Sequence, residues 1–225
     1  MIRHIHVREC DTTQDLIKEQ LSLAKSDEQI LVSCDEQKAG RGRNTNQWLS
    51  LPGTLCFSMT IEPHVEMSYT ALEMSLLVTE FFEGSKLELK WPNDIYNVQK
   101  KKCCGILVQS FQGRMVAGIG LNLWSEHEDF GGVYGSNFLF DRKAWCHEIA
   151  SFIYSHRYAS TEMLRGSWEA RCSHMGSKVR LIEGDLIEEG FFQGLGPHGE
   201  AIIFNESGEK HFYNGSLRVL SSGHP

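Results

Sequence analysis

The chain has 225 residues, of which 41% are hydrophobic, 29 acidic and 22 basic, so its formal net charge is −7. That balance argues against a protein that holds nucleic acid on a basic surface, and the absence of a bilayer-length apolar run and of a signal segment predicts no membrane contact and a cytoplasmic location. The seven cysteines are scattered without C-x-x-C spacing, which predicts reduced thiols rather than disulfides or a structural zinc site.

Hydrophobic periodicity and turn residues predict the elements of the first part of the chain. In chain order these are a strand at 2–7, a helix beginning at Asp11-Thr12-Thr13, strands at 29–34 and 54–61, a helix at 67–82, alternation at 86–90, a hairpin of 106–111 with 115–123, and helices near 142–156 and 161–172. Strands and helices are mixed without strict alternation. This predicts an α+β fold whose sheet is mixed but mainly antiparallel, with flanking helices.

Past residue 175 the pattern changes to short strands separated by turns. They are predicted at 178–182, 186–193, 200–204, 210–213 and 217–220. Short strands at close and regular spacing indicate a small β-barrel. We therefore predict two domains, 1–174 and 175–225.

A loop at residues 38–48 combines two arginines, two glycines and a tryptophan. Glycine lets backbone N–H groups approach an anion, and Arg41 and Arg43 are permanently charged donors that grip carboxylate or phosphate. Trp48 offers a flat face for stacking. The segment therefore predicts a mobile loop that closes over an anionic ligand.

A second polar segment, Lys90-Trp91-Pro92-Asn93-Asp94, precedes a lysine-rich stretch that leads to Cys103-Cys104-Gly105. One interpretation is purely structural, with a turn at Pro92-Asn93 whose backbone is capped by Asp94, followed by a solvated lysine run. The other is a binding site. Neither G-x-G-x-x-G nor G-x-x-x-x-G-K-[ST] is present, which excludes two common nucleotide-binding motifs.

Several segments in a fixed order resemble the catalytic core of the biotin protein ligases. They are Thr12-Thr13-Gln14, Gln37, Gly40-Arg41-Gly42-Arg43, Trp48, Lys90–Asp94, Lys102–Val108 and Gly118–Asn122. The resemblance runs from about residue 8 to 125, and Gly215-Ser216-Leu217-Arg218 resembles the last strand of the family's small C-terminal domain. The chain departs from the family's pattern at four places. Asn44-Thr45-Asn46 stands where the family usually has any residue followed by Gly and Arg, and Cys103-Cys104 stands where apolar or small residues are common. Gln109 replaces the usual Glu, and Gln14 replaces the usual Asn.

The resemblance implies a class II synthetase-like catalytic domain, a C-terminal SH3-like barrel and a two-step ligase reaction. ATP with Mg²⁺ would activate biotin as biotinyl-5′-AMP, and a lysine of a biotin carboxyl carrier protein, the acetyl-CoA carboxylase subunit, would then accept the biotin. Two anions must meet in the first step, so fixed positive charge is needed between them. Lys102, Arg41 and Arg43 are the implied catalytic residues.

The resemblance also implies two sets of binding residues. Those for biotin are Thr12, Thr13, Gln14, Gln37, Gly40, Arg41, Gly42, Arg43, Lys102 and Gly105. Those for ATP and the adenylate are Arg41, Arg43, Trp48, Lys90, Asn93, Asp94, Lys102 and Asn122. Any metal is expected to be Mg²⁺ carried by the ATP phosphates, with Asp94 either a metal ligand or a structural carboxylate.

Two other functions stay open at this stage. A lipoate or octanoate transferase of the same fold could use Cys104, beside Lys102, as a nucleophile. A non-catalytic biotin-sensing module is the second, although the sequence starts at the catalytic strand without a helix-turn-helix, which favours a monofunctional ligase. The oligomeric state is open, with a homodimer among the options.

Overall fold

The computed structural model describes residues 1–25, 27–43 and 46–220. Its strands are β1 (Ile2–Cys10), β2 (Gln29–Gln37), β3 (Thr54–Ile61), β4 (Glu88–Lys90), β5 (Asp94–Tyr96), β6 (Lys102–Phe111), β7 (Arg114–Asn122), β8 (Lys178–Glu183), β9 (Leu186–Leu195), β10 (Ala201–Asn205), β11 (Gly208–Phe212) and β12 (Ser216–Val219). Its helices are α1 (Thr13–Leu21), α2 (Thr70–Phe81), α3 (Arg142–Ser155) and α4 (Thr161–Ala170). Among these described residues, each helix is too short or too polar to cross a bilayer.

The first seven strands form one sheet in the order β1-β2-β3-β7-β6-β5-β4. Only the β1–β2 pair is parallel, so the predicted α+β fold with a mixed, mainly antiparallel sheet is confirmed. Every residue of β3 is buried, because helices cover both of its faces. Ile17 and Leu21 of α1 pack on one face, whereas the large core on the other face includes side chains from α2, α3 and α4.

Side-chain caps fix where the helices begin. Thr12 Oγ1 accepts a hydrogen bond of 3.1 Å from the Asp15 amide, and Asp141 Oδ1 accepts one of 3.1 Å from the Ala144 amide. Both caps satisfy amides that the first turn of a helix leaves without a backbone partner. The predicted helix starts at these two positions are therefore confirmed.

The last five strands form a second, antiparallel sheet in the order β11-β10-β9-β8-β12. The turn between β9 and β10 is hydrogen-bonded to the N-terminal part of the chain at two points. Tyr69, just before α2, donates its hydroxyl to Gly196 O at 2.7 Å, and Trp91 donates Nε1 to Gly199 O at 3.1 Å. These bonds attach the C-terminal sheet to the segment before α2 and to the β4–β5 hairpin.

The structure differs from the predicted elements at three places. The turn predicted at Pro92-Asn93 is present at residues 91–93, but it joins β4 to a further strand, β5, which was not predicted. Lys86 has a positive φ of 50°, so β4 begins only at Glu88. A 3₁₀ turn at Met67–Tyr69 precedes α2. The predicted β6–β7 hairpin is confirmed, with positive φ at both turn residues, Gln112 and Gly113.

A buried ion pair joins α2 to the segment after α3. Glu73 is fully buried, and its carboxylate accepts hydrogen bonds from Arg157 Nη2 at 2.6 Å and from the Tyr158 amide at 2.8 Å. Removing one partner of such a pair leaves a buried charge uncompensated. Replacing Arg157→Ala should therefore lower the free energy of unfolding by about 3 kcal/mol, as measured by urea denaturation.

The matched control is Arg3→Ala. Arg3 pairs with Glu28 at 3.8 Å, with the two side chains 40% and 29% exposed. Such a solvated pair contributes less than about 1 kcal/mol. Equal losses in the two variants would contradict the importance of the buried pair.

Candidate active site

One cleft of about 150 Å³ lies between the glycine-arginine loop, the start of α1, the β4–β5 hairpin and strands β6, β7 and β12. Its lining residues are Thr12, Thr13, Gln14, Gln37, Arg41, Gly42, Arg43, Asn46, Gln47, Trp48, Lys90, Trp91, Pro92, Asn93, Asp94, Lys102, Gly105, Ile106, Leu107, Gly118, Ile119, Gly120, Gly215, Ser216 and Leu217. Segments that are far apart in the chain thus meet around one hollow. Polar groups gather at one end and charged groups at the other.

Glycines form the floor of the cleft. Gly105 on β6 lies directly opposite Gly120 on β7, and Gly118 is two residues earlier on the same strand. A Cβ at Gly120 would stand 2.2 Å from Cε2 of Trp48, and one at Gly118 would stand 2.6 Å from Nε2 of Gln14. Strand β7 therefore needs glycine at these two positions, because the side chains above it occupy the space of a Cβ.

The polar end is organised around Gln37. Its Oε1 accepts hydrogen bonds from the Thr13 amide at 2.8 Å and from Thr13 Oγ1 at 3.1 Å. Ser58, behind Thr13 on β3, completes the chain with an Oγ–Oγ contact of 2.8 Å. Because a backbone amide can only donate, Oε1 must face Thr13, and the Nε2 donor of Gln37 is left for another partner.

Gln14 presents the opposite polarity at the same end. Its Nε2 donates to Leu107 O at 2.9 Å, which fixes the orientation of the amide. Its Oε1 is buried and finds no hydrogen-bond partner within residues 1–25, 27–43 and 46–220. A buried acceptor without a partner costs about 1–3 kcal/mol, so this atom is suited to a donor supplied by a ligand.

The charged end contains three cations and one carboxylate. Lys102 Nζ lies 2.6 Å from Asp94 Oδ1, and Lys90 Nζ donates to the Tyr96 hydroxyl at 3.2 Å. Burial lowers the pKa of Lys90, and the nearby Asp94 carboxylate partly opposes that shift. Arg43 is also partly desolvated, which lowers its pKa, but a guanidinium stays charged at neutral pH. The cleft therefore carries an excess of positive charge.

The two loop arginines have different surroundings. Arg43 Nη1 lies 3.4 Å from both Asn93 Oδ1 and Gly215 O, so it joins the loop to the hairpin and to the segment before β12. Arg41 instead pairs with Asp15 through an Nη2–Oδ2 distance of 3.1 Å, and its side chain is 61% exposed. Arg43 is thus the arginine that bridges the cleft, whereas Arg41 lies at its rim.

The cysteine pair beside Lys102 points away from solvent. Cys103 and Cys104 are both fully buried. Burial raises the pKa of Cys103 to about 12 and that of Cys104 well above the usual thiol range. Since the thiolate is the nucleophilic form, Cys104 has neither the access nor the ionisation that an acyl-enzyme mechanism requires.

Most residues of the predicted site line this cleft. Exceptions are Gly40, whose carbonyl accepts from the Trp48 amide at 2.9 Å, and Asn122, which is buried with its amide bonded to Thr54 Oγ1 at 2.7 Å and to Gly131 O at 3.3 Å. Asn44 and Thr45 lie outside the described residues. Lining residues to which the sequence assigned no role include Gly118, Gly120 and residues 215–217, all of which lie within motifs of the family's pattern. Ser58 and Tyr96, which contact the lining residues Thr13 and Lys90, carried no signal in the sequence.

A profile of the biotin/lipoate A/B protein ligase family matches residues 7–123, more than half of the chain. The chain belongs to this family. The match contains almost the whole cleft except the part contributed by residues 215–217. The family includes ligases for different acids, so the ligand must be argued from the cleft.

Relatives and solved structures agree with this membership. The bifunctional ligase/repressor BirA of Bacillus spizizenii is 29% identical over 143 residues, which are 58% of this chain and 43% of BirA. The chain thus matches less than half the length of that relative. The biotin–[acetyl-CoA-carboxylase] ligase of Paracoccus denitrificans is 22% identical over 80% of this chain and 85% of its own length. The biotin protein ligase of Aquifex aeolicus, solved with biotin and ATP, superposes with a TM-score of 0.78 at 28% identity, covering 97% of this chain and 99% of that one.

The close contact between Trp48 and the floor of this ligase-family cleft can be tested in solution. Gly120→Ala would place a methyl group 2.2 Å from Cε2 of Trp48, so the indole should leave the floor and become more exposed. Acrylamide quenching of the Trp48 fluorescence should therefore increase. The chain has five tryptophans, so the signal of Trp48 is isolated by subtracting the spectrum of the same protein carrying Trp48→Phe.

Gly135→Ala is the control, since a Cβ there would meet no atom within 4 Å. Quenching in that variant should equal that of the unmodified protein. If Gly120→Ala also left the quenching unchanged, the indole would not lie on the floor.

Proposed function

We propose that the chain is an ATP-dependent biotin protein ligase. In the first step an oxygen of the biotin carboxylate attacks the α-phosphorus of ATP, forming biotinyl-5′-AMP and releasing pyrophosphate. In the second step the amine of a carrier lysine attacks the carbonyl of this mixed anhydride and releases AMP. The cleft's separate polar and charged ends correspond to the ring and the reacting end of such a substrate.

The observation that carries the proposal is the complementary pair of amide side chains at the polar end, of which one has a buried acceptor without a partner. Gln37 offers a donor, Nε2, and Gln14 offers a buried acceptor, Oε1. The ureido ring of biotin carries one carbonyl acceptor and two N–H donors, so it can satisfy both. A dithiolane ring or an alkyl chain has no such groups and would leave the buried Gln14 Oε1 without a partner.

The charged end supports the first step. Biotin carboxylate and ATP repel each other, and charge shifts toward the leaving pyrophosphate as the bond to phosphorus forms. Lys102, Lys90 and Arg43 line this end of the cleft. Lys102 would contact the carboxylate and the α-phosphate together, and its ammonium lies over Gly105 on the floor of the cleft, beside Trp48.

Mg²⁺ is part of the proposal, as the partner of the ATP phosphates. Asp94 is the one carboxylate that lines the cleft among the described residues, and Lys102 engages its Oδ1. Mg²⁺ is commonly bound by one or two carboxylates together with substrate phosphates, so this donor set fits. When bound, the metal would neutralise phosphate charge while the chain's own cations hold the reacting groups.

The partner, the domains and the location complete the proposal. We propose a biotin carboxyl carrier protein of acetyl-CoA carboxylase as the acceptor. Residues 1–174 would form the catalytic domain and 175–225 an SH3-like barrel, of which residues 221–225 lie outside the described part. Arg41 keeps its proposed contact with the substrates at the rim, whereas Gly40 and Asn122, which do not line the cleft, would support it through their bonds to the Trp48 amide and to Thr54. We also propose a cytoplasmic location, with which the seven free cysteines agree. Light scattering of the purified chain would distinguish a monomer from a homodimer.

A direct assay tests this function. Biotin should stimulate exchange of labelled pyrophosphate into ATP, and octanoate and lipoate should not. Lys102→Ala should reduce the exchange rate by about 10²–10³-fold, because a cation that stabilises developing charge is lost. Biotin binding without any exchange would favour the biotin-sensing module instead, and exchange that responds only to octanoate or lipoate would favour the transferase.

A second test concerns the buried thiol. If the reaction uses no acyl-cysteine, Cys104→Ala should keep biotin-dependent exchange within about threefold of the unmodified protein, because the buried thiol takes no part in the chemistry. Thermal unfolding of the same sample controls for loss of packing. Complete loss of exchange in a folded Cys104→Ala protein would contradict the assignment.

A further inference from the structure

The β4–β5–β6 region brings two lysines and one carboxylate into a crossed arrangement. Across the strands, Lys90 faces Asp94 in one row, and Tyr96 faces Lys102 in the next. The contacts do not follow these rows. Lys90 reaches Tyr96 at 3.2 Å, and Lys102 reaches Asp94 at 2.6 Å, so both contacts run diagonally.

From charge alone, one would expect Lys90 to pair with Asp94, which lies directly opposite it. Residues directly opposite each other in an antiparallel pair have Cβ atoms about 4.5–5.5 Å apart, and opposite charges at such positions attract. Lys90 and Asp94 stand in this relation, yet the hydrogen bond of Lys90 goes to a neutral phenol. Something must therefore keep Lys90 from its facing carboxylate.

Two features of the chain account for the crossing. A Cβ at Gly105 would lie 3.2 Å from both Cε and Nζ of Lys102, so the missing side chain lets Lys102 lie along β6 toward Asp94. The Tyr96 hydroxyl, in turn, is the one hydrogen-bond partner of Lys90 Nζ within the described ranges, and the ammonium lies 5.0 Å from the centre of the Tyr96 ring. The phenol thus offers Lys90 both an acceptor and an aromatic face.

We propose that Tyr96 is a positioning residue, which holds the Lys90 ammonium and thereby leaves Asp94 to Lys102. Tyr96 itself does not line the cleft, so it acts through Lys90. This inference rests on the proposed ligase function, in which Lys90 contacts the ATP phosphates. Without the hydroxyl, Lys90 would close on Asp94 and withdraw from the nucleotide, and the two lysines would compete for one carboxylate.

A double-mutant cycle tests this role. Tyr96→Phe keeps the ring and removes the hydroxyl, and Lys90→Met keeps the length of the side chain and removes the charge. In biotin-dependent pyrophosphate exchange, Tyr96→Phe should raise KM for ATP about tenfold, as expected for losing a hydrogen bond to a charged group, while KM for biotin changes little. In the Lys90→Met background, the same substitution should change KM for ATP by less than about twofold.

Tyr154→Phe serves as the matched control. It removes a partly buried hydroxyl that donates to Thr60 O at 2.6 Å, away from the cleft, so it should lower thermal stability without raising KM for ATP. An unchanged KM for ATP in Tyr96→Phe would overturn the proposal. So would an equal tenfold effect in both backgrounds, which would indicate a purely structural role for the hydroxyl.

If the protein is not a biotin ligase, the experiment gives a result that differs from a failure of the Tyr96 proposal. In that case the unmodified protein would show no biotin-dependent exchange at all. The cycle would then be measured as calorimetric binding of ATP with Mg²⁺ to the full chain. Non-additive losses of affinity would still support the link between Tyr96 and Lys90, and additive or absent losses would refute it.

Discussion

The cleft depends on the absence of side chains at three neighbouring positions of the central sheet. Protein interiors are packed about as densely as organic crystals, so a hollow above a sheet exists only where something is missing. Gly105 and Gly120 face each other across β6 and β7, and Gly118 faces Leu107 two residues away. Trp48, Gln14 and Lys102 all lie over these glycines. The positions of these three side chains therefore depend on this bare patch of backbone.

The charged end has more cation than its carboxylate can neutralise. Lys90, Lys102 and Arg43 line the cleft together with Asp94, and partial burial strengthens the interactions among them because less water screens the charges than at an open surface. Such an excess favours the entry of an anion. Under the proposed function, the phosphates of ATP would supply that anion.

Contiguous motifs made much of the site predictable from the sequence. Thr12–Gln14, Gln37, the loop arginines and Lys90–Asp94 are polar residues at element ends, where the chain exposes them, and the fold gathers nearly all of them. Ser58 and Tyr96 were not recognised, because each is an ordinary strand residue whose importance depends on cross-strand register. Register is set by long-range pairing, which spacing along the chain does not reveal. Similarly, β5 is three residues long and follows a proline, so it lacked any periodicity to recognise.

The bonds between the two sheets have a consequence for any attempt to shorten the chain. Arg43 reaches Gly215 O, Trp91 reaches Gly199 O, and residues 215–217 form one wall of the cleft. A fragment that stopped before β8 would keep every motif of the family profile and yet lose that wall. Its indole at position 91 would be left without an acceptor, and its loop would have one anchor fewer. The small C-terminal sheet is therefore as much a part of the cleft as the strands that carry the glycines.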